Sequence, residues 1–164
     1  MKKSLIALAV LGASGVAMAQ SSVTLYGVAD AGVGKIEAGS PAGNDASDKT
    51  EFISGSLMNN GISRIGVRGI EDLGGGLKAG FNFESGLDLD NGNNLGSGGG
   101  FWGRAANLWL GGNWGTFKMG RTLNPTFYGI AAWELTGTAG YSVIGNTYKY
   151  AGGGARNNSQ FSYK

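Results

Sequence analysis

The sequence predicts an all-β fold, six or seven strands of an antiparallel transmembrane β-barrel. Three observations carry that expectation: abundant glycine with almost no proline, long runs of period-2 alternation, and long polar connections alternating with tight turns. Glycine accounts for 33 of 164 residues, roughly three times the usual share. No G-X-Y period accompanies it, which excludes a collagen-like chain. With 2 prolines there is no Pro-rich stalk, and with 10% aromatics the composition is not that of plain disorder.

The first strand is expected over Val23 to Val33. Val23, Leu25, Gly27, Ala29, Ala31 and Val33 share one parity, and Thr24, Tyr26, Val28, Asp30, Gly32 and Gly34 the other. One face is apolar but small, the other polar or bare. A strand of this length exceeds the about 5–6 residues usual in soluble sheets and approaches the about 9–11 of a tilted membrane strand. Glu37 to Asn60 then reads as a long polar loop, carrying Gly39-Ser40-Pro41-Ala42-Gly43-Asn44-Asp45 and the charges Asp48, Lys49 and Glu51.

A hairpin follows. Ser63 to Ile70 and Leu77 to Glu84 alternate across a tight acidic-glycine turn at Glu71-Asp72-Leu73-Gly74-Gly75-Gly76. Ile65, Val67, Leu77, Ala79, Phe81 and Phe83 fall on one face, with Arg64, Arg68, Lys78, Asn82 and Glu84 on the other. Taken alone, this hairpin suits a soluble sheet equally well. Leu87 to Gly100 is a second polar loop, and Phe101-Trp102-Gly103-Arg104 opens another strand pair that turns at Gly112-Asn113-Trp114-Gly115. Long loops on one side and tight turns on the other match the layout of outer-membrane barrels. Thr122 to Ala155 is long, irregular and too rich in aromatics for a solvated loop, so it is expected to pack against something. Asn157 to Tyr163 starts another strand.

The N-terminus adds the compartment. Met1-Lys2-Lys3, an apolar run from Leu5 to Val16 and Ala17-Met18-Ala19 read as a secretory signal over residues 1–19, cleaved before Gln20. The run is short for a spanning helix, which needs about 20 apolar residues. Loss of Lys2 and Lys3 leaves 11 Lys+Arg against 11 Asp+Glu, so no global charge points to nucleic acid. Without cysteine there are no disulfides, and without cysteine and histidine a structural zinc site is not expected. No metal or cofactor is expected at all.

Catalytic constellations are missing. No histidine serves as a base, Ser54-Gly55-Ser56 lacks a G-x-S-x-G elbow, and Gly74-Gly75-Gly76 is followed by a strand rather than Lys-Ser/Thr. The sequence therefore reads as non-enzymatic. Its charges are arranged, however. Arg64, Arg68, Lys78 and Lys118 lie opposite the large apolar residues, while Arg104 stands at a strand end where alternation does not fix its facing. Beyond Asp90 the one acidic residue is Glu134, in the middle of the aromatic segment. Two readings of this pattern stand from the residues alone. One is a charged constriction, with the segment folded into a lumen. The other is a solvated sheet face with an incidental Glu134 pair.

A family resemblance joins these pieces. Ser22-Val23-Thr24-Leu25-Tyr26-Gly27-Val28-Ala29-Asp30-Ala31-Gly32 after an A-x-A site resembles the opening strand of Gram-negative general-diffusion porins, of the kind found in Burkholderia, Bordetella, Comamonas and Neisseria. Ser63 to Ala79 resembles their second and third strands. Phe101-Trp102-Gly103-Arg104-Ala105-Ala106 and Trp114 to Arg121 resemble the fourth and fifth. Arg156-Asn157-Asn158-Ser159 resembles the strand after an inward-folded loop. Each motif is weak alone; the ordered set, spanning nearly all of residues 20–164, is specific.

The resemblance implies a sixteen-stranded barrel that assembles as a homotrimer among outer-membrane lipid and lipopolysaccharide, and passes small ions and hydrophilic solutes; three or four cationic groups against the single carboxylate Glu134 at its constriction make anion preference the expectation. It implies that about residues 122–155 fold into the lumen. Arg64, Arg68 and Arg104 are then the basic wall, with Arg156 next. Arg121 is a further candidate, although strict alternation groups it with Phe117 and Met119. Glu134 is the facing acid, where such loops often carry more. Trp109 stands where a small residue is commoner and is expected to narrow the lumen. Six or seven strands do not close such a barrel, so the chain reads as an N-terminal part of a porin that forms no stable channel alone. A small closed barrel of structural or adhesive role, or a soluble periplasmic ligand-binding β-protein, are the competing readings; the first needs about 8 strands.

Overall fold

The computed structural model describes residues 21–34, 50–54, 59–94, 100–148 and 154–164. The signal expected over residues 1–19, Lys49 and much of the first polar loop lie outside the described residues. The chain forms β1 (Ser22–Val28), β2 (Ala31–Gly34), β3 (Glu51–Ser54), β4 (Arg64–Gly74), β5 (Leu77–Gly86), β6 (Ala105–Gly112), β7 (Gly115–Leu123), helices α1 (Pro125–Ala131) and α2 (Val143–Tyr148), and β8 (Arg156–Tyr163). Six strands make one antiparallel sheet in the order β1-β4-β5-β6-β7-β8, and β2-β3 form a separate ribbon. Strands β4, β5 and β7 run 11, 10 and 9 residues, matching the about 9–11 needed to cross a bilayer at a tilt.

Register converts the alternation into two chemically distinct faces. Val23, Gly69, Phe81, Leu108, Met119 and Phe161 form one row across all six strands. The next row, on the opposite face, reads Thr24, Arg68, Asn82, Asn107, Gly120 and Gln160. In the first row Val23 is 69% exposed and Phe161 70%, whereas Asn107 in the second is 4% exposed and Ser63, at the head of β4, is fully buried. Apolar residues outside and polar ones inside is the reverse of a soluble sheet and the pattern of a barrel wall facing lipid.

Several expected boundaries move. The strand predicted over Val23 to Val33 breaks at Ala29-Asp30, where the Asp30 amide donates to Ser63 Oγ (2.8 Å) instead of to a ladder partner. Its second half, β2, pairs with β3, which lies within the stretch expected to be loop. Between β4 and β5 the acidic residues belong to the strand. The turn is Gly75-Gly76, and Gly74, Gly75 and Gly76 have φ of 84°, 60° and 82°, a left-handed run that favours glycine. Asp72 Oδ1 accepts from the Gly74 amide (2.9 Å) and closes it. The turn between β6 and β7 is as expected, with Gly112 opposite Gly115.

The segment read as irregular holds two short helices. Asn124 caps α1 by accepting from the Phe127 amide (2.8 Å), and Pro125 opens the helix. Part of it packs, through Ile130, Ala139 and Ser142, which are buried, but the aromatics that suggested packing do not follow: Tyr128, Trp133 and Tyr141 are about half exposed. β7 continues to Leu123, so the loop proper begins at Asn124 rather than Thr122. Its base is closed by Asn124, whose amide donates to Ala155 O (2.9 Å) and whose side chain donates to Gly154 O (2.7 Å).

Candidate pore lining

A cavity of about 690 Å³ lies between the polar face of the sheet and the described loop residues Phe127, Tyr128 and 137–140. Its charged lining comprises Arg64, Arg104, Lys118 and Arg156, with Asp30 and Glu84 as the acids. The strands deliver these groups by parity. Val28 pairs with Arg64, Glu84 with Ala105, and Trp109 with Lys118, all on the face opposite the exposed apolar rows.

Glu84 is the hub. Its Oε1 accepts from Arg104 Nε at 2.6 Å, and its Oε2 lies 3.7 Å from Arg64 Nε. The Tyr26 hydroxyl lies 2.8 Å from Glu84 Oε2 and 2.9 Å from Asn82 Oδ1, and donates into this pair of acceptors. Tyr26 reaches them because its ring lies over Gly66, where a Cβ would come within 2.4 Å of the ring. The Arg68 guanidinium sits 5.3 Å from the same ring's centroid, a cation–π distance. Arg104 and Glu84 side chains are 11% and 14% exposed and Arg64 30%, so this pairing operates away from bulk water, where screening is weak. Arg156 extends the cationic chain by donating from Nε to Arg104 O (2.7 Å).

The sequence-predicted residues thus divide. Arg64, Arg104 and Arg156 line one cavity, whereas Arg68 shares their face but lies farther along β4, over Tyr26, and does not line it. Arg121 does not join them. Register sets it opposite Ala106, on the Met119 side, and its guanidinium donates to Gly103 O and Asn158 Oδ1, both at 2.6 Å. The register keeps the outward parity that alternation gave it.

Glu134 is placed differently from expectation. It is buried, 8% exposed, and does not line the cavity with the arginines. Its Oε1 accepts from the Thr136 amide (2.9 Å), the Thr136 hydroxyl and Ser142 Oγ (2.9 Å), and Oε2 accepts from the Thr138 amide (2.6 Å). The Thr136 hydroxyl bond leads in holding the carboxyl down to about 2, against the opposing cost of burial and with help from the Thr138 and Thr136 amides and Ser142. Glu134 staples the loop to itself. The acid that meets the arginines is Glu84, which sequence reasoning placed on the polar face without assigning it a role. The missed signal was Glu84 sharing a strand face with Asn82 and Lys78 and lying across the hairpin from Arg64 and Arg68. Trp109 does not stand up from the wall: its ring lies over Gly80, within 2.5 Å of where a Cβ would be.

Comparison with known proteins agrees with this geometry. A family model described as Gram-negative porin matches residues 4–164. Outer membrane porin protein 32 of Delftia acidovorans is 42% identical over 169 residues, covering 99% of this chain and 45% of that protein. The major outer membrane protein P.IB of Neisseria gonorrhoeae is 38% identical over 138 residues, 82% of this chain and 36% of that one. The solved structure of an anion-selective porin from Comamonas acidovorans superposes with a TM-score of 0.63 at 35% identity, covering 88% of this chain and 42% of that chain. The chain spans less than half the length of each of these relatives. With the lipid-facing rows outside, the charged lining inside and a family match over nearly its whole length, the chain belongs to the Gram-negative porins, non-enzymatic proteins of the bacterial outer membrane.

Proposed function

We propose that this chain forms part of the wall and constriction of a water-filled channel for passive diffusion of ions and small hydrophilic solutes, with a preference for anions. The observation that carries the reading is the composition of one cavity: four cationic side chains, Arg64, Arg104, Lys118 and Arg156, against the carboxylates Asp30 and Glu84. Glu84 is already shared between two arginines, so the remaining potential is positive. A narrow lumen between low-dielectric walls focuses such a field and raises the local concentration of anions. The anion-selective porin from Comamonas acidovorans is a structural relative, and the same polarity is proposed here. The working unit is a homotrimer in outer-membrane lipid and lipopolysaccharide, and its cargo is small ions and solutes rather than nucleic acid.

The test is the reversal potential across planar bilayers in a salt gradient, measured on the complete barrel carrying this segment. Arg64→Glu is expected to weaken or reverse anion preference. Lys78→Glu is the control. It shares the polar face but lies six residues along β5 from Glu84, roughly 20 Å at about 3.3 Å per residue and well beyond the Debye length of about 8 Å. Equal shifts for the two variants, or a cation-selective parent, would remove the basis for the assignment.

A further inference from the structure

The inward loop is fastened at its far end as well as at its base, and the fastening runs back to Asp30, at the break between β1 and β2. The Asp30 carboxylate accepts from Asn59 Nδ2 on Oδ1 (3.0 Å) and from the Gly61 amide on Oδ2 (2.7 Å), and Ser63 Oγ donates to Asp30 O (3.0 Å). Those contacts fix the Asn59–Gly61 segment, with Asn59 only 4% exposed. That segment in turn holds the loop tip. The Gly140 amide donates to Asn59 O (3.0 Å), and the Tyr141 hydroxyl to Asn60 Oδ1 (3.0 Å). The tip itself is stiffened by the Glu134 staple and by Ser142 Oγ accepting from the Gly145 amide (2.8 Å).

We infer that Asp30 is a positioning residue for permeation: through Asn59 it latches the tip of the inward loop to the barrel wall and so sets the aperture of the lumen. Residues 137–140 line the same cavity as Arg64 and Arg104, so where the tip sits relative to this part of the wall bears directly on the width of the passage. Part-buried hydrogen bonds such as those to Asp30 cost free energy when left unmade, and a loop held at both ends opens less often than one held at its base. Asp30→Asn breaks the latch because its amide nitrogen meets Asn59 Nδ2 or the Gly61 amide donor to donor. Asn59→Ala breaks it without touching charge.

The channel reading above supplies one readout, open-channel current noise; hydrogen exchange of the loop peptide over residues 134–145 supplies a second that does not depend on it. In the complete barrel both variants are expected to speed that exchange by up to about tenfold, the effect of losing roughly one net hydrogen bond, and to raise low-frequency noise. Joining Asn60→Cys to Tyr141→Cys with a short bis-thiol reagent is expected to restore parental exchange and noise in the Asn59→Ala background. This segment contributes no cysteine of its own, and any elsewhere in the barrel is first replaced by serine. Unchanged exchange and noise in both variants overturns the latch. A shift of reversal potential in Asp30→Asn with exchange and noise unchanged reduces Asp30 to a lumen charge and equally overturns it. If the parent barrel does not conduct, the channel reading fails, and the exchange experiment still decides the latch.

Discussion

At the scale of single residues, the role of a charge here is set by what it is paired with. Glu84 sits between Arg104 and Arg64 and masks both. Glu84→Gln keeps the size and one hydrogen-bond acceptor while removing the mask, so the complete barrel is expected to become more anion-selective by reversal potential; an unchanged or more cation-preferring channel would contradict the hub. Glu134 does different work. Its carboxyl is held down to about 2 by donors of the loop itself, so the folded loop prefers the ionised form. The sign follows from linkage. A depressed folded-state value gives stabilisation that is complete above the ordinary carboxylate value and is lost as pH falls through about 2. Near-ultraviolet circular dichroism of the loop aromatics is therefore expected to hold down to about pH 4.5 and change between there and pH 2. Glu134→Gln should remove that pH dependence, and an acid transition identical in the variant would assign it elsewhere.

Elements fall where local chemistry and strand pairing agree. The β6–β7 turn was legible because Gly112-Asn113-Trp114-Gly115 is self-contained. The break in the first predicted strand was not, because what ends β1 is the side chain of Ser63, 33 residues on, capturing the Asp30 amide. Helix α1 had a readable start signal in Asn124-Pro125 that the aromatic content of the segment obscured. The cap is also the loop's lower anchor, since Asn124 Nδ2 reaches Gly154 O. Asn124→Ala loses both bonds, and a cap alone is worth about 1 kcal/mol. The expected result is a rise in hydrogen exchange across Pro125–Ala131 by about fivefold or more, with β6 and β7 unaffected. Equal protection in variant and parent would show that packing of Ile130 alone holds the helix.

For the whole molecule the decisive feature is the inverted distribution of polarity. Ser63, Ser85 and Asn107 are buried while Val23, Leu25, Leu108 and Phe161 are exposed. In water such a surface would aggregate; against lipid tails it is the stable arrangement. The outward side of β1 carries Val23, Leu25 and Gly27, all exposed, an apolar strip that another protein surface can cover. Ala29 and Ala31, expected to extend it, lie beyond the strand break. The complete protein is expected to run as a homotrimer in mild detergent, with Val23→Trp shifting it toward monomer. A parent that runs only as a monomer would sink the trimer and leave β1 facing lipid.

The sequence by itself determined the two faces of the sheet, since Arg64, Arg68, Lys118 and Glu84 are separated from Ile65, Val67, Phe81 and Met119 by period-2 alternation alone. Side chains in a strand have no other choice of side. It also located the loop that covers the polar face, from its length and irregularity, although Ile130, Ala139 and Ser142 rather than the exposed Tyr128, Trp133 and Tyr141 are what that loop buries. What it left undecided was which charges meet. That Glu84 rather than Glu134 holds Arg104 and Arg64 depends on register across β1, β4, β5 and β6. That Glu134 turns inward depends on a loop offering it Thr136, Thr138 and Ser142 at close range. A buried carboxylate takes the nearest complete set of donors, and which set lies nearest is settled only when strands far apart in the chain have paired.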